Sequence, residues 1–183
     1  KKYSKVYFLS ENYRPAYLAS IDQKYLYNQN DDAFIHTEVL PHLTELLEAA
    51  GSDGIELLVA SAFRSFEEQS LLKSGYKVVY GSGANQFSAD QGYSEHQLGT
   101  TLDFTTPTTN GVFSKFVSDP AYKWLRDSAH GYGFTLSYPK DNAFYKYEPW
   151  HWRFVGVELA TFLHNEGKYF YDLDQREIDT YLI

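Results

Sequence analysis

At 183 residues the chain has the length of one ordinary domain and can bury a core without cross-links. Its apolar (43%) and charged (22%) fractions exclude a disordered or fibrous chain, and no apolar run reaches the roughly 20 residues of a membrane-spanning helix. A net charge of −8 with no Lys/Arg run argues against nucleic acid as a partner, and the lack of cysteine excludes disulfides, thiol catalysis and thiolate metal sites.

The chain contains no methionine and opens Lys1-Lys2, as a trimmed or processed domain would. Any signal peptide or membrane anchor is expected outside it. Absence of cysteine also suits an exported protein. The abundant Tyr and Phe are expected in the core and on half-buried surface rather than lining a groove.

In chain order, residues 1–30 show no clean period and read as an irregular arm packed on a domain spanning 31–183. Phe34, Val39, Leu40, Leu43, Leu46, Leu47 and Ala50 have helical spacing, with Gly51 as a stop and Pro41 marking a kink or a late start. Ile55 to Ala62 reads as a buried strand. Ser65 and Glu68 form a capping box for a helix reaching about Ser74, and 75–93 reads as a long loop of the functional kind. Thr100 to Thr105 is a strand, and Asp119-Pro120 opens a helix that ends near Gly131. Phe134 to Tyr138 and Trp150 to Val155 are strands. Val157 to Asn165 is a helix closed by Gly167, and Asp174 with Glu177 caps a last short helix. Helices and strands mix without alternating. That predicts a single α+β domain, with a central antiparallel sheet flanked by helices and a functional site at the sheet's open face.

The chain has six histidines. His36 and His42 do not share a helix face and read as surface or satisfied polar groups. His130 and His164 sit at helix ends, where a partly positive ring suits the dipole. His96 and His151 differ, because each lies at a loop-to-strand junction with carboxylates close in sequence. Catalytic zinc takes three His or Asp/Glu ligands and keeps a position open. His96, Asp103 and His151 would supply such a set, with Gly99 permitting the close approach of loop and strand. Glu148, three residues before His151 and stiffened by Pro149, could accept a proton from an activated water. On spacing alone a buried histidine with a carboxylate holding its ring is favoured over zinc.

Three stretches carry a resemblance. Ser94-x-His96-x-x-Gly99-x-Thr101-x-Asp103 resembles the Ser-x-His-x-x-Gly-x-Ala-x-Asp motif of the VanY/LdcB-type D-alanyl carboxypeptidases, zinc peptidases of the M15 type. Glu148-x-Trp150-His151 resembles their Glu-x-x-His, and Ser61-Ala62-Phe63-Arg64-Ser65 with Gln69 resembles their Ser-x-x-Arg-Ser…Gln stretch. The likeness runs from about Leu9 to the C-terminus, in the same order and with the same separations. Thr101 departs from the usual Ala, and Ser137 from the Arg that relatives often carry before Tyr-Pro.

The resemblance implies zinc (Zn2+) held by His96, Asp103 and His151, with Glu148 as general base and acid. Arg64 would stabilise the oxyanion or orient the scissile carbonyl. Ser94, Gln69 and Ser61 would bind substrate, although Ser94 and Gln69 could instead brace the loop; Trp150 and Trp152 would wall the site or, equally, belong to the core. The implied reaction is that of an L,D-carboxypeptidase removing D-alanine from peptidoglycan stem tetrapeptides. The alternatives are a D,D-carboxypeptidase acting on D-Ala-D-Ala pentapeptides and a non-catalytic wall-peptide-binding module. The expected setting is the extracellular face of the cell envelope. The expected form is a monomer that meets a membrane only through a segment outside this chain.

Overall fold

A computed structural model describes residues 8–80, 88–143 and 145–181. Two short strands, β1 (Leu18–Ser20) and β2 (Phe34–His36), pair antiparallel as a separate two-stranded sheet. Residues 8–30 are therefore more ordered than their composition suggests. Ile21 and Leu26 enter the main core, and Gln97 Nε2 donates to the carbonyls of Ser10 (2.9 Å) and Tyr13 (3.1 Å).

Phe34 to His36 form a strand rather than the start of a helix, because Ala19 and its neighbours supply a pairing partner. Helix α1 (Leu40–Ser52) begins late, with Pro41 in its first turn, where the missing N–H is not needed. It buries Leu43, Leu46, Leu47 and Ala50 along one stripe. It runs through Gly51, and the chain reverses at Gly54 (φ 78°).

Strand β3 (Leu58–Ser61) leads to helix α2 (Phe66–Tyr80). The predicted capping box is present: Ser65 N donates to Glu68 Oε2 at 2.7 Å, and Glu68 N to Ser65 Oγ at 3.2 Å. The helix continues well past Ser74. Gly75 costs a helix interior about 1 kcal/mol. Opposing it, Gln69 and Lys73 lie one turn apart, both buried, and hold residues 88–90. Of the predicted 75–93 loop, residues 81–87 lie outside the described residues.

Strand β4 (Thr101–Thr105) is buried along its whole length. Helix α3 (Pro120–Ser128) is capped by Asp119, which accepts from Ala121 N at 2.9 Å, and passes into a 3-10 turn at Ala129–Tyr132. Strands β5 (Phe134–Leu136) and β6 (His151–Phe154) follow. Helix α4 (Val157–Glu166) ends at left-handed Gly167, and α5 (Gln175–Asp179) carries the Asp174–Glu177 capping box.

The four-stranded sheet has the order β3-β4-β6-β5, and every pairing is antiparallel. The fold is α+β, as predicted. A bulge between Val59 and Ser61 shifts the register so that Ser61 opposes Asp103, which in turn opposes His151. Ser61, Asp103 and His151 thus form one row across three strands, on one face. Leu102, Phe104, Phe134, Leu136 and Trp152 alternate onto the other face. There they join α1 and the α3 residues Ala121 and Leu125 in the main core.

Candidate active site

His96 lies in the 3-10 turn Glu95–Leu98, which ends at Gly99 in a left-handed conformation (φ 71°). A Cβ on Gly99 would stand 3.0 Å from Pro15 Cγ and 3.1 Å from Leu18 Cδ2, so both the backbone and the packing require glycine. This turn folds His96 back over β4 until its Nε2 is 3.2 Å from Asp103 Oδ2. The other ring nitrogen, Nδ1, is 2.7 Å from the carbonyl of Ala62, which accepts its hydrogen and leaves Nε2 as the lone-pair nitrogen.

His151, the first residue of β6, places Nδ1 3.1 Å from Asp103 Oδ1 and Nε2 2.9 Å from Glu95 Oε2. The two imidazoles meet edge to face, with centroids 5.0 Å apart. One ligand atom each from His96, Asp103 and His151 falls within 4.8 Å of the others, and all three residues are buried. Each histidine turns one nitrogen toward Asp103 and has the other held by an oxygen. That is the outer-shell arrangement of metal-ligating histidine. Two imidazoles, each neutral once a metal takes the place of a ring proton, and one carboxylate fit zinc with a position left open.

Glu148 stands at the edge of the cluster with Oε2 3.6 Å from His151 Nδ1. The local turn puts it there: His151 N donates to Glu148 O (3.1 Å), and Glu148 N to Tyr138 O (3.0 Å). Arg64 Nη2 lies 3.6 Å from Asp103 Oδ2. Its guanidinium donates to Gln69 Oε1 (2.5 Å) and Ser61 Oγ (3.0 Å). Arg64 N also donates to His96 O at 3.2 Å, tying this loop to the 3-10 turn.

The electrostatics follow from crowding charges in a dry place. Burial pushes the Glu148 carboxyl up to about 7, with Asp103 and Glu95 adding to the rise against the pull of His151 and Arg64. Burial alone would depress His151. Its bonds to Asp103 and Glu95 outweigh that and raise it to about 10. Burial opposes ionisation of Asp103 as well, yet His96 and His151 hold it well below the usual carboxylate range. His96 is lowered, chiefly by burial.

The structure brings Arg64, His96, Asp103, Glu148 and His151 together. Ser61 and Gln69, expected to touch substrate, spend hydrogen bonds on Arg64. Gln69 is fully buried, and its amide donates to Ser88 Oγ and Ala89 O at 2.8 Å each. Ser94 is buried at the start of the 95–98 turn. Trp152, expected to wall the site, is in the core on the sheet's other face, with its indole N–H donating to Pro149 O at 2.9 Å. The cause is strand alternation: a neighbour of His151 on β6 must face away from it. Trp150 is half-buried and stacks on Phe113 with centroids 5.1 Å apart.

Sequence reasoning missed Glu95, Arg153, Tyr138 and Tyr171. Tyr138 stacks on His151 (4.2 Å, 13°) and on Tyr145 (4.0 Å, 20°). Arg153 was detectable, since residues two apart on a strand share a face and His151 was already assigned. Glu95 was visible as the carboxylate beside His96, but nothing local paired it with His151, and Tyr171 had no local signal.

A buried His/Asp/His cluster flanked by a carboxylate and an arginine, on an antiparallel sheet, defines a candidate metallohydrolase centre. The model of the family described as VanY: D-alanyl-D-alanine carboxypeptidase matches residues 32–157, and the chain belongs to that family. A D-alanyl-D-alanine carboxypeptidase of Enterococcus faecalis (strain ATCC 700802 / V583) is 32% identical over 146 residues, covering 73% of this chain and 53% of the relative. The chain thus spans about half the length of that curated relative. The structure of the LdcB LD-carboxypeptidase is similar at a TM-score of 0.79 and 28% identity, covering 96% of this chain and 81% of the other. The vancomycin-resistance D,D-pentapeptidase VanY from a VanB-type cassette, a mutant in complex with Zn(II), is similar at 0.69 and 28% identity over 99% of both chains.

Proposed function

We propose that this chain is a zinc-dependent carboxypeptidase that removes the C-terminal D-alanine from peptidoglycan stem peptides, with the tetrapeptide, an L,D substrate, preferred. The observation that carries the reading is the Asp103-centred cluster, with Glu148 3.6 Å from His151 and Arg64 3.6 Å from Asp103. A metal ion held by His96, Asp103 and His151 supplies Lewis acidity, making water easier to deprotonate near neutral pH and polarising a carbonyl. Glu148 Oε2 accepts the proton of the attacking water and delivers it to the nitrogen of the departing D-alanine. Arg64 presents its fixed charge to the carbonyl oxygen as negative charge develops there. Ser61 and Gln69 keep the guanidinium aimed, and Ser94 and Trp150 are assigned to the rim that receives the peptide.

The tetrapeptide preference draws support from the likeness to the LdcB LD-carboxypeptidase. The D,D reading has its own support in the D,D-pentapeptidase neighbour and in the E. faecalis relative's name. A wall substrate places the protein in the cell envelope, outside the membrane. The test is release of D-alanine from a defined tetrapeptide and a defined pentapeptide, followed by mass spectrometry with and without chelator. Chelator-sensitive release from the tetrapeptide in preference to the pentapeptide is expected. Preference for the pentapeptide replaces L,D by D,D. No release from either by zinc-loaded protein rejects the enzyme in favour of a wall-peptide-binding module.

A further inference from the structure

A carboxylate with no access to solvent is tolerated only where its charge is met by partners. Glu95 is such a group, at 0% exposure. Its Oε1 accepts from Arg153 Nη1 at 3.0 Å and from the Tyr171 hydroxyl, and its Oε2 faces His151 Nε2 at 2.9 Å. Arg153 is in turn braced by Phe170, whose ring centroid lies 4.3 Å from its guanidinium carbon. Phe170 and Tyr171 belong to the 3-10 turn Phe170–Asp172, beyond residues 32–157 that match the family.

We propose that Glu95, braced by Arg153 and Tyr171, is a positioning residue of the metal centre. By accepting the Nε2 hydrogen it leaves Nδ1, the nitrogen facing Asp103 at 3.1 Å, as the one that would release its proton and offer a lone pair to a metal. The inference rests on reading the His96/Asp103/His151 cluster as a zinc site. A carboxylate serving the fold alone would need only Arg153 and Tyr171, yet Glu95 commits its second oxygen to the nitrogen opposite the one that faces Asp103. The two histidines also differ in outer partner. His96 has a neutral carbonyl, from Ala62, whereas His151 has a full negative charge. A charged acceptor makes the stronger hydrogen bond and the more basic ligand. His151 is therefore the ligand whose hold on metal depends most on its outer partner. The C-terminal segment, through Tyr171, then contributes to metal affinity without touching the metal.

Glutamine cannot replace this group. An amide has one acceptor oxygen and one NH2, so either orientation turns a donor toward Arg153 and Tyr171 or toward His151. Zinc affinity is measured by competition with a chromophoric chelator for the wild type, Glu95→Gln and Tyr171→Phe, and for Glu95→Gln and Tyr171→Phe combined with His151→Ala. Near-UV circular dichroism of the metal-free proteins monitors the fold. Glu95→Gln is expected to weaken zinc binding by roughly 10–100-fold and Tyr171→Phe by less, in the same direction. In the His151→Ala background the residual affinity is expected to be indifferent to both. Should Glu95→Gln fail to fold, the Tyr171→Phe pair gives the same comparison. Wild-type affinity in the folded variants overturns the proposal, as does an equal loss with and without His151. A wild type that binds no zinc overturns the zinc reading itself.

Discussion

Glu148 owes its chemistry to its surroundings. Burial and the neighbouring Asp103 and Glu95 charges raise its carboxyl to about 7, so near neutrality it can both take and give a proton. Glu148→Gln keeps the size and removes the proton carrier. Turnover is expected to fall by roughly 10²–10⁴-fold, with zinc affinity close to wild type in the chelator competition. Undiminished turnover removes Glu148 from the mechanism. The same environment has a cost in stability. The pKa is higher in the fold than the ordinary value of 4.5, so the fold favours the protonated form. That stability is present below pH 4.5 and lost as pH rises through about 7, at a cost of about 3 kcal/mol. Metal-free Glu148→Gln is therefore expected to melt above metal-free wild type at pH 8 and to lose the advantage by pH 4.5. A wild type that is the more stable at pH 8 contradicts the assigned environment.

At the scale of elements, the site is built from junctions: the bulge in β3, the turn before β4 and the turn before β6. Gly99 carries the most constraint. Alanine there adopts a left-handed backbone at about 1–2 kcal/mol and presses on Pro15 and Leu18. Gly99→Ala is expected to lower the melting temperature by several degrees, about 2–4 °C per kcal/mol. An unchanged melting curve argues against the turn as described. Helix α2 supplies a different test, since Gln69 both accepts from Arg64 and donates to residues 88–89. Gln69→Ala is expected to lower kcat roughly ten- to a hundredfold while zinc affinity stays put, because Arg64 loses its aim but no ligand is touched. A matching loss of zinc affinity places Gln69 in the metal site instead.

These junctions were unequally legible in the sequence. Capping boxes at Ser65 and Asp174, Pro41 and Pro120 in first turns, and Gly167 as a stop are local chemistry, and each marks an element end in the structure. The strand at Phe34 was misread because its pairing partners are 14 to 18 residues away and helical spacing begins at the same place. For Trp152 the core reading holds over the wall reading for a simpler reason: adjacent strand residues face opposite ways, and Trp152 follows His151 on its strand. The Ser61 bulge, which aligns three strands into one functional row, is a tertiary feature with no composition of its own.

Across the whole molecule, the catalytic constellation was legible because its members come as short motifs. The network beneath it was not, because Glu95, Arg153 and Tyr171 meet from three distant stretches. That network gives the metal centre a balanced charge. Glu95 offsets Arg153 and Asp103 offsets Arg64, so Glu148 is left as the carboxylate beside the two histidines. A divalent cation held by His96, Asp103 and His151 would bind only the folded chain, because the unfolded chain separates Asp103 from His151 by 48 residues. At hundredfold excess over the dissociation constant the fold gains about 2.7 kcal/mol, which for a chain of this size raises the melting temperature by about 5–10 °C. Stripping with chelator is expected to reverse the gain, and zinc to restore it. His151→Ala, which removes one donor, is expected to lose most of the zinc-dependent shift while its metal-free melt stays measurable. A zinc-dependent shift as large in His151→Ala as in wild type locates the ion elsewhere.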